Sequence, residues 1–328
     1  MNVMKILPVF LFGLTAAINA AAAPESELIK STLEAQPSCG NFVRYDDQNL
    51  YLGFGSYRRG FEEPRNPIPG QMRVVPFDGS EAYNLATKDA AIDTATVDGT
   101  AYVLTYSSIE EWNLAKRERT AGYQTYAING PLAYQQHAQA FARYKDKLII
   151  AHGRLGVSFF NTSTKRLTNQ YRLIQKQLPL ESMATGVTVQ GNLAYVVLDN
   201  FHLTQPGDGV KIFRGIVVIN MDTEAVVAEL GGMDPGADSI VSDAKKVIVS
   251  FGGVPIWKYG INSLKGRAIP EPEIRVWRFP VNGHPVGAPM MDDKYYYSCF
   301  SKAPLPGENG GYYRSVPMAL DRRMLMLD

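Results

Sequence analysis

Side chains able to do acid–base or metal chemistry are few in this chain and far apart. The four histidines, His137, His152, His202 and His284, are each separated by at least 15 residues. None of them shares the helical spacing of an H-E-x-x-H zinc site, and no G-x-S-x-G nucleophile motif occurs. Two acidic pairs, Asp46-Asp47 and Asp292-Asp293, look at first like paired catalytic carboxylates. Both stand in two-residue polar turns, where an aspartate bonds the backbone amides that follow it. Asp89, Glu181, Asp234 and Asp238 could ring a central opening and offer hard oxygens to a divalent cation such as calcium. His137 and His152 could converge near the same opening. Beyond that cation, no cofactor and no metal are expected.

Recognition chemistry is more abundant. Four long insertions carry Tyr57, Arg58, Arg59 and Phe61; His202, Phe213 and Arg214; Trp257 and Tyr259; and Tyr312, Tyr313 and Arg314. Arg, Tyr and Trp combine large apolar area with directed hydrogen bonds, which is why they dominate binding hot spots. Their planar groups also stack on sugars. A surface built from them suits a protein, peptide or glycan.

Positioning such a surface falls to elements that repeat. Six times a two-residue polar turn precedes an apolar run: Asp46-Asp47, Asp98-Gly99, Lys145-Asp146, Gln190-Gly191, Asp243-Ala244 and Asp292-Asp293. Successive turns stand 52, 47, 45, 53 and 49 residues apart, a spacing that marks repeat architecture. The runs AYVLTY, KLIIAH and LAYVVL show no polar alternation, as expected of strands covered on both faces. A second hairpin follows, read in VSFFNTSTKRLTNQYRL from Val157, GIVVINMDTEAVVAEL from Gly215 and EIRVWRFPVNGHPVG from Glu273. Four short strands per repeat predict an all-β six-bladed β-propeller spanning residues 39–328, with seven blades as the alternative. A sandwich plus a second domain accommodates short strands but not their even spacing. The insertions 55–71, 200–215, 252–272 and 301–315 are read as joining second to third strands on one face.

Leu148–Asn169, Ala194–Leu198 and Gly215–Thr223 resemble the LVIVD and YVTN-type repeats of bacterial exported propellers. That resemblance implies fold and export, and brings no catalytic residues with it.

The first 22 residues, with Lys5, an apolar run from Ile6 and the small-residue stretch Ala20 to Ala23, read as a secretory signal. The expected location is periplasmic or secreted, with no transmembrane segment once the signal is removed. Residues 23–38 form an N-terminal extension, helical over Glu25 to Gln36. The whole chain's 33 basic and 32 acidic side chains become 32 of each without Lys5, so the charge offers no footprint for nucleic acid. The two cysteines, Cys39 before the first strand and Cys299 in the last repeat, become neighbours if the ring closes. A Cys39 to Cys299 disulfide is therefore expected, with an upper loop-entropy value of about 4 to 5 kcal/mol. Two functions from different classes fit: a non-catalytic binding propeller, or a lactonase-like hydrolase or polysaccharide lyase with an axial site. A compact axial pocket of converging histidine, arginine and carboxylate groups would mark the enzyme.

Overall fold

A computed structural model describes residues 24–55, 69–125, 138–153, 156–171, 183–199, 215–231, 239–242, 246–250, 256–260, 273–275, 284–301 and 315–324. One helix, α1 (Ser26–Glu34), precedes a run of short antiparallel strands. The first sheet holds β1 (Phe42–Tyr45), β2 (Asn49–Phe54), β3 (Gln71–Pro76) and β4 (Tyr83–Ala86). The second holds β5 (Ala91–Val97), β6 (Thr100–Thr105), β7 (Ser108–Asn113) and β8 (Glu118–Gln124). The third holds β9 (Ala140–Tyr144), β10 (Lys147–Ala151), β11 (Val157–Asn161) and β12 (Arg166–Tyr171). Next come β13 (Met183–Gln190), β14 (Leu193–Asp199), β15 (Gly215–Asn220) and β16 (Ala225–Gly231), and then β17 (Ser239–Ser242), β18 (Lys246–Ser250), β19 (Ile256–Gly260) and β20 (Glu273–Arg275). Finally β21 (His284–Met291), β22 (Tyr295–Ser301) and β23 (Ser315–Asp321) join the first sheet through one parallel step, Phe42 opposite Ala288.

Five of the six predicted turns fall where a first strand passes into a second, with Gln190 closing β13; Asp243-Ala244 lies outside the described residues. Asp98 and Gly99 both take positive φ, 48° and 74°, as a two-residue hairpin turn of the primed type demands. The second strands are buried along their length: Leu50, Tyr51 and Leu52, Leu148 to Ala151, and Ala194 to Val197 are all at most 1 % exposed. Their side chains alternate between the two neighbouring sheets. Ile149 and Ala151 pack with Ala194, Val196 and Leu198, whereas Leu148 and Ile150 pack with Tyr102 and Leu104. Sheets therefore stack face to face, and first strands meet along the inside: β9 lies against β5 and β13, β17 against β13 and β21, and β1 against β21 and β5.

The N-terminal extension closes the join between the last sheet and the first. Ile29 and Leu33 of α1 are buried with Val43, Leu50 and Leu52 of the first sheet and Tyr297 and Cys299 of the last. Cys39 and Cys299 lie in the same cluster at disulfide distance, with Cα atoms 5.7 Å apart and 260 residues between them in sequence. The Cys39 amide donates to the Ser315 carbonyl, and the Ser315 hydroxyl to the Cys39 carbonyl.

Two expectations about local placement are corrected. The stretch from Glu273 is not a third and fourth strand: Glu273–Arg275 is the fourth strand, and His284 opens the next first strand. Likewise 252–272 is not one loop. Trp257 and Tyr259 stand in the third strand β19, opposite Val249 and Val247, so residues 261–272 connect β19 to β20. The last residue of β19, Gly260, pairs with Lys246, the first residue of the second strand β18. The insertions 55–70, 200–214 and 302–314 do join second to third strands.

Candidate functional site at the axial mouth

First strands converge on the end of the molecule that carries the first turns. There β1, β5, β9, β13, β17 and β21, or the turn just beyond, each contribute three successive residues to a cavity of about 410 Å³. Its walls are Arg44 to Asp46, Thr94 to Thr96, Phe141 to Arg143, Val187 to Val189, Ile240 to Ser242 and Pro289 to Met291, with Tyr51 behind. β5, β9, β13 and β17 are terminal strands of their sheets. Their inner edges have no strand partner, so side chains must satisfy part of the backbone there.

Arg44 and Asp93 do most of this. Asp93 is fully buried; its carboxylate pairs with Arg44 Nε at 2.9 Å and accepts Arg44 Nη2 at 3.0 Å, together with the amides of Thr94 at 2.9 Å and Phe141 at 3.1 Å. Arg44 Nη1 donates to the carbonyls of Val43, Ala288 and Pro289. One ion pair thus ties together first strands β21, β1, β5 and β9. Burial pushes the Asp93 carboxyl up, against the pull of the Arg44 guanidinium and the two amides.

Asp46 is also committed. Its Oδ1 accepts the amides of Gln48 and Asn49, and its Oδ2 accepts the Tyr51 phenol at 2.6 Å. Asp292 repeats the arrangement with the amides of Lys294 and Tyr295 and the Tyr297 phenol. Burial and the neighbouring carboxylate push both phenols up. The acidic pairs are therefore turn caps rather than catalytic dyads.

Arg143 differs. Its Nε donates to the Lys145 carbonyl at 3.0 Å and its Nη1 to the Thr96 carbonyl at 2.6 Å, so the guanidinium is held between two walls by neutral acceptors. On the next two first strands, β13 and β17, the Thr188 and Ser242 hydroxyls bond each other at 2.7 Å. Val187, Val189, Ile240, Met290 and Met291 give that half an apolar character.

Of the residues singled out in the insertions, Tyr57, Arg58, Arg59, Phe61, His202, Phe213, Arg214, Tyr312, Tyr313 and Arg314 lie outside the described residues, as do His137, Glu181, Asp234 and Asp238. For Trp257 and Tyr259 the backbone is described. His152 is buried, its amide donating to the Gly156 carbonyl at 2.8 Å. The Asp89 carboxylate accepts the Ser107 hydroxyl at 2.6 Å. Among the described residues, no group of three His, Cys, Asp or Glu side chains could hold a metal ion. No helix among them is long and apolar enough to cross a membrane. Sequence reasoning missed Arg44, Asp93 and Arg143. The available signal was a charged residue inside each of the short first strands FVRY, AIDTATV and AFARY.

No protein-family model matches the chain, and no curated protein matches it. Solved structures do. The RRP9 WD40 repeats align over 86 % of this chain and 79 % of theirs, at TM-score 0.52 and 12 % identity. Hydrazine synthase of Kuenenia stuttgartiensis aligns over 81 % of this chain and 78 % of its own, at TM-score 0.51 and 12 % identity. The Dos1 propeller aligns over 81 % of this chain and 67 % of its own, at TM-score 0.49 and 11 % identity. The fold is that of a β-propeller. At these identities the likeness carries fold alone, and the resemblance to exported LVIVD and YVTN-type repeats has no family match behind it.

Proposed function

We propose that this chain is an exported, non-catalytic propeller of six blades that binds a protein, peptide or glycan of the cell envelope through the insertions joining its second and third strands. The observation that carries the reading is how the axial carboxylates are used. Asp46 and Asp93 each accept hydrogen bonds from groups that hold strands or turns in place, so neither is poised to exchange a proton with a substrate. Support for recognition comes from the three insertions 55–70, 200–214 and 302–314, which each connect a second strand to a third and are rich in Tyr, Phe and Arg. Six first strands in a circuit of contacts support six blades. The apolar N-terminus and the cysteine pair support export, where disulfides persist. An axial hydrolase or lyase would require replacement of Asp46 or Asp93 to abolish turnover with the fold intact, an outcome at odds with their structural bonds.

The test is capture of envelope partners by the purified mature domain. Replacing 56–68 and 303–313 with short Gly-Ser links should leave the domain folded and remove the captured partner. Undiminished capture by both deletions would overturn the proposal.

A further inference from the structure

We propose that the axial cavity at the first-turn end, away from the insertions, binds a monocarboxylate with an apolar body, gripped by Arg143. The inference does not depend on the loop-face reading. A volume of about 410 Å³ falls within the range of small-molecule sites, roughly 300 to 1,000 Å³. Two cations reach this cavity, and they are not equivalent. Arg44 is paired on two of its nitrogens with Asp93 and on the third with three carbonyls. Arg143 makes two bonds to neutral carbonyls and, among the described residues, has no carboxylate partner. A guanidinium has five donors, so Arg143 keeps N–H groups, notably on Nη2, and a full positive charge available to an anion. Planar two-point recognition of a carboxylate is the geometry that guanidinium suits best.

A second donor lines the same cavity. The bond between Thr188 and Ser242 uses one hydroxyl proton; the other remains to be donated. The rest of that wall, Val187, Val189, Ile240, Met290 and Met291, can take only an apolar body. The surrounding turns select further. Asp47, Asp98, Asp146, Asp292 and Asp293 stand in the first turns and outnumber the cations Lys145 and Lys294 there, so the net field disfavours a second negative charge on the ligand. Asp46, in the cavity wall, adds its own negative charge to that field, its carboxylate held in place by two amides and a phenol. The site therefore prefers a singly charged acid to a dicarboxylate, and an acid with a chain to acetate.

Titration calorimetry of the full mature chain with octanoate tests this, with acetate, octanedioate and octylamine as comparison probes. Octanoate should bind with a Kd below about 1 mM, and the other three at least about tenfold more weakly. Arg143→Gln should weaken octanoate binding about 10- to 100-fold, the range for one charge-assisted contact. Its side chain is exposed, so the fold should survive, as circular dichroism and unchanged unfolding will verify. Val189→Trp, filling the apolar wall, should abolish binding without touching the charge. Lys116→Ala, an exposed charge outside the cavity, should change nothing. Absence of octanoate binding, equal binding of octylamine, or undiminished binding by folded Arg143→Gln would each overturn the assignment.

Discussion

Replacing Asp93 with alanine should unfold this protein more readily than any change on its surface, and the size of the loss can be worked from the contacts. The substitution removes three accepted hydrogen bonds, one each from Arg44 Nη2 and the amides of Thr94 and Phe141, and the ion pair with Arg44 Nε. It leaves a guanidinium only 18 % exposed without its counter-ion. Breaking one partner out of a buried ion pair costs about 3–5 kcal/mol. Each stranded amide could add roughly 1–3 kcal/mol, but the adjacent cavity admits water that satisfies part of that demand. The expected loss is therefore about 3–5 kcal/mol, or about 6–10 °C in melting temperature for a domain this large. Urea unfolding followed by tryptophan fluorescence measures it, with an unchanged dependence on urea showing that the same surface is exposed. Arg44→Ala should cost as much, because it strands a fully buried carboxylate. The pair Arg44→Met with Asp93→Leu should cost less than the two single losses combined, by about 2 kcal/mol or more. A loss below about 1 kcal/mol for Asp93→Ala, or strict additivity in the cycle, would show that first strands are not held by this pair.

Three further outcomes follow from the same geometry. Reduction of the Cys39 and Cys299 pair, or replacement of both by serine, should cost about 3–5 kcal/mol and shift mobility on non-reducing gels; an unchanged denaturation midpoint would exclude a role in closing the ring. Leu33→Ala, at a position 0 % exposed under α1, should cost about 2–5 kcal/mol, and Gly53→Ala should destabilise as well, because a Cβ there would meet the Phe42 ring at 2.2 Å; neutral effects would mean that α1 and the first sheet do not pack as described. Asp222 is held down to about 2 by bonds from Tyr144, Lys145 and Asn192. A folded-state value below the unfolded one means that these contacts stabilise above about pH 4 and are lost as pH falls towards 2. Tyr144→Phe should raise the Asp222 midpoint towards its ordinary value in a carboxyl NMR titration, and an unmoved midpoint would refute the contact.

Much of the architecture could be read from residue order because the signals were local. Asp98-Gly99 dictates a tight turn, Leu148 to Ala151 dictates a doubly covered strand, and their recurrence dictates a stack of similar sheets. Where two signals competed the reading slipped. In EIRVWRFPVNGHPVG the alternation suits either a hairpin or a strand leading into the next sheet, and only pairing of Glu273 with Lys258 separates the two. In 252–272 the aromatic residues suggested a loop surface, yet Trp257 and Tyr259 obey strand alternation opposite Val249 and Val247.

The sequence by itself determined the first turns and the buried second strands, since turn chemistry and apolar continuity act over a few residues. It also brought Cys39 and Cys299 together once a closed ring was assumed, because closure makes the chain ends neighbours. Only the tertiary structure decided which charges face the axis. Arg44, Asp93 and Arg143 lie 49 and 50 residues apart in sequence, and the partners that join them across strands, Asp93 to Arg44 and Phe141, and Arg143 to Thr96, are ones that no local pattern reveals. Which guanidinium is neutralised and which stays open depends on where strand ends meet in space, and that is fixed by the packing of whole sheets.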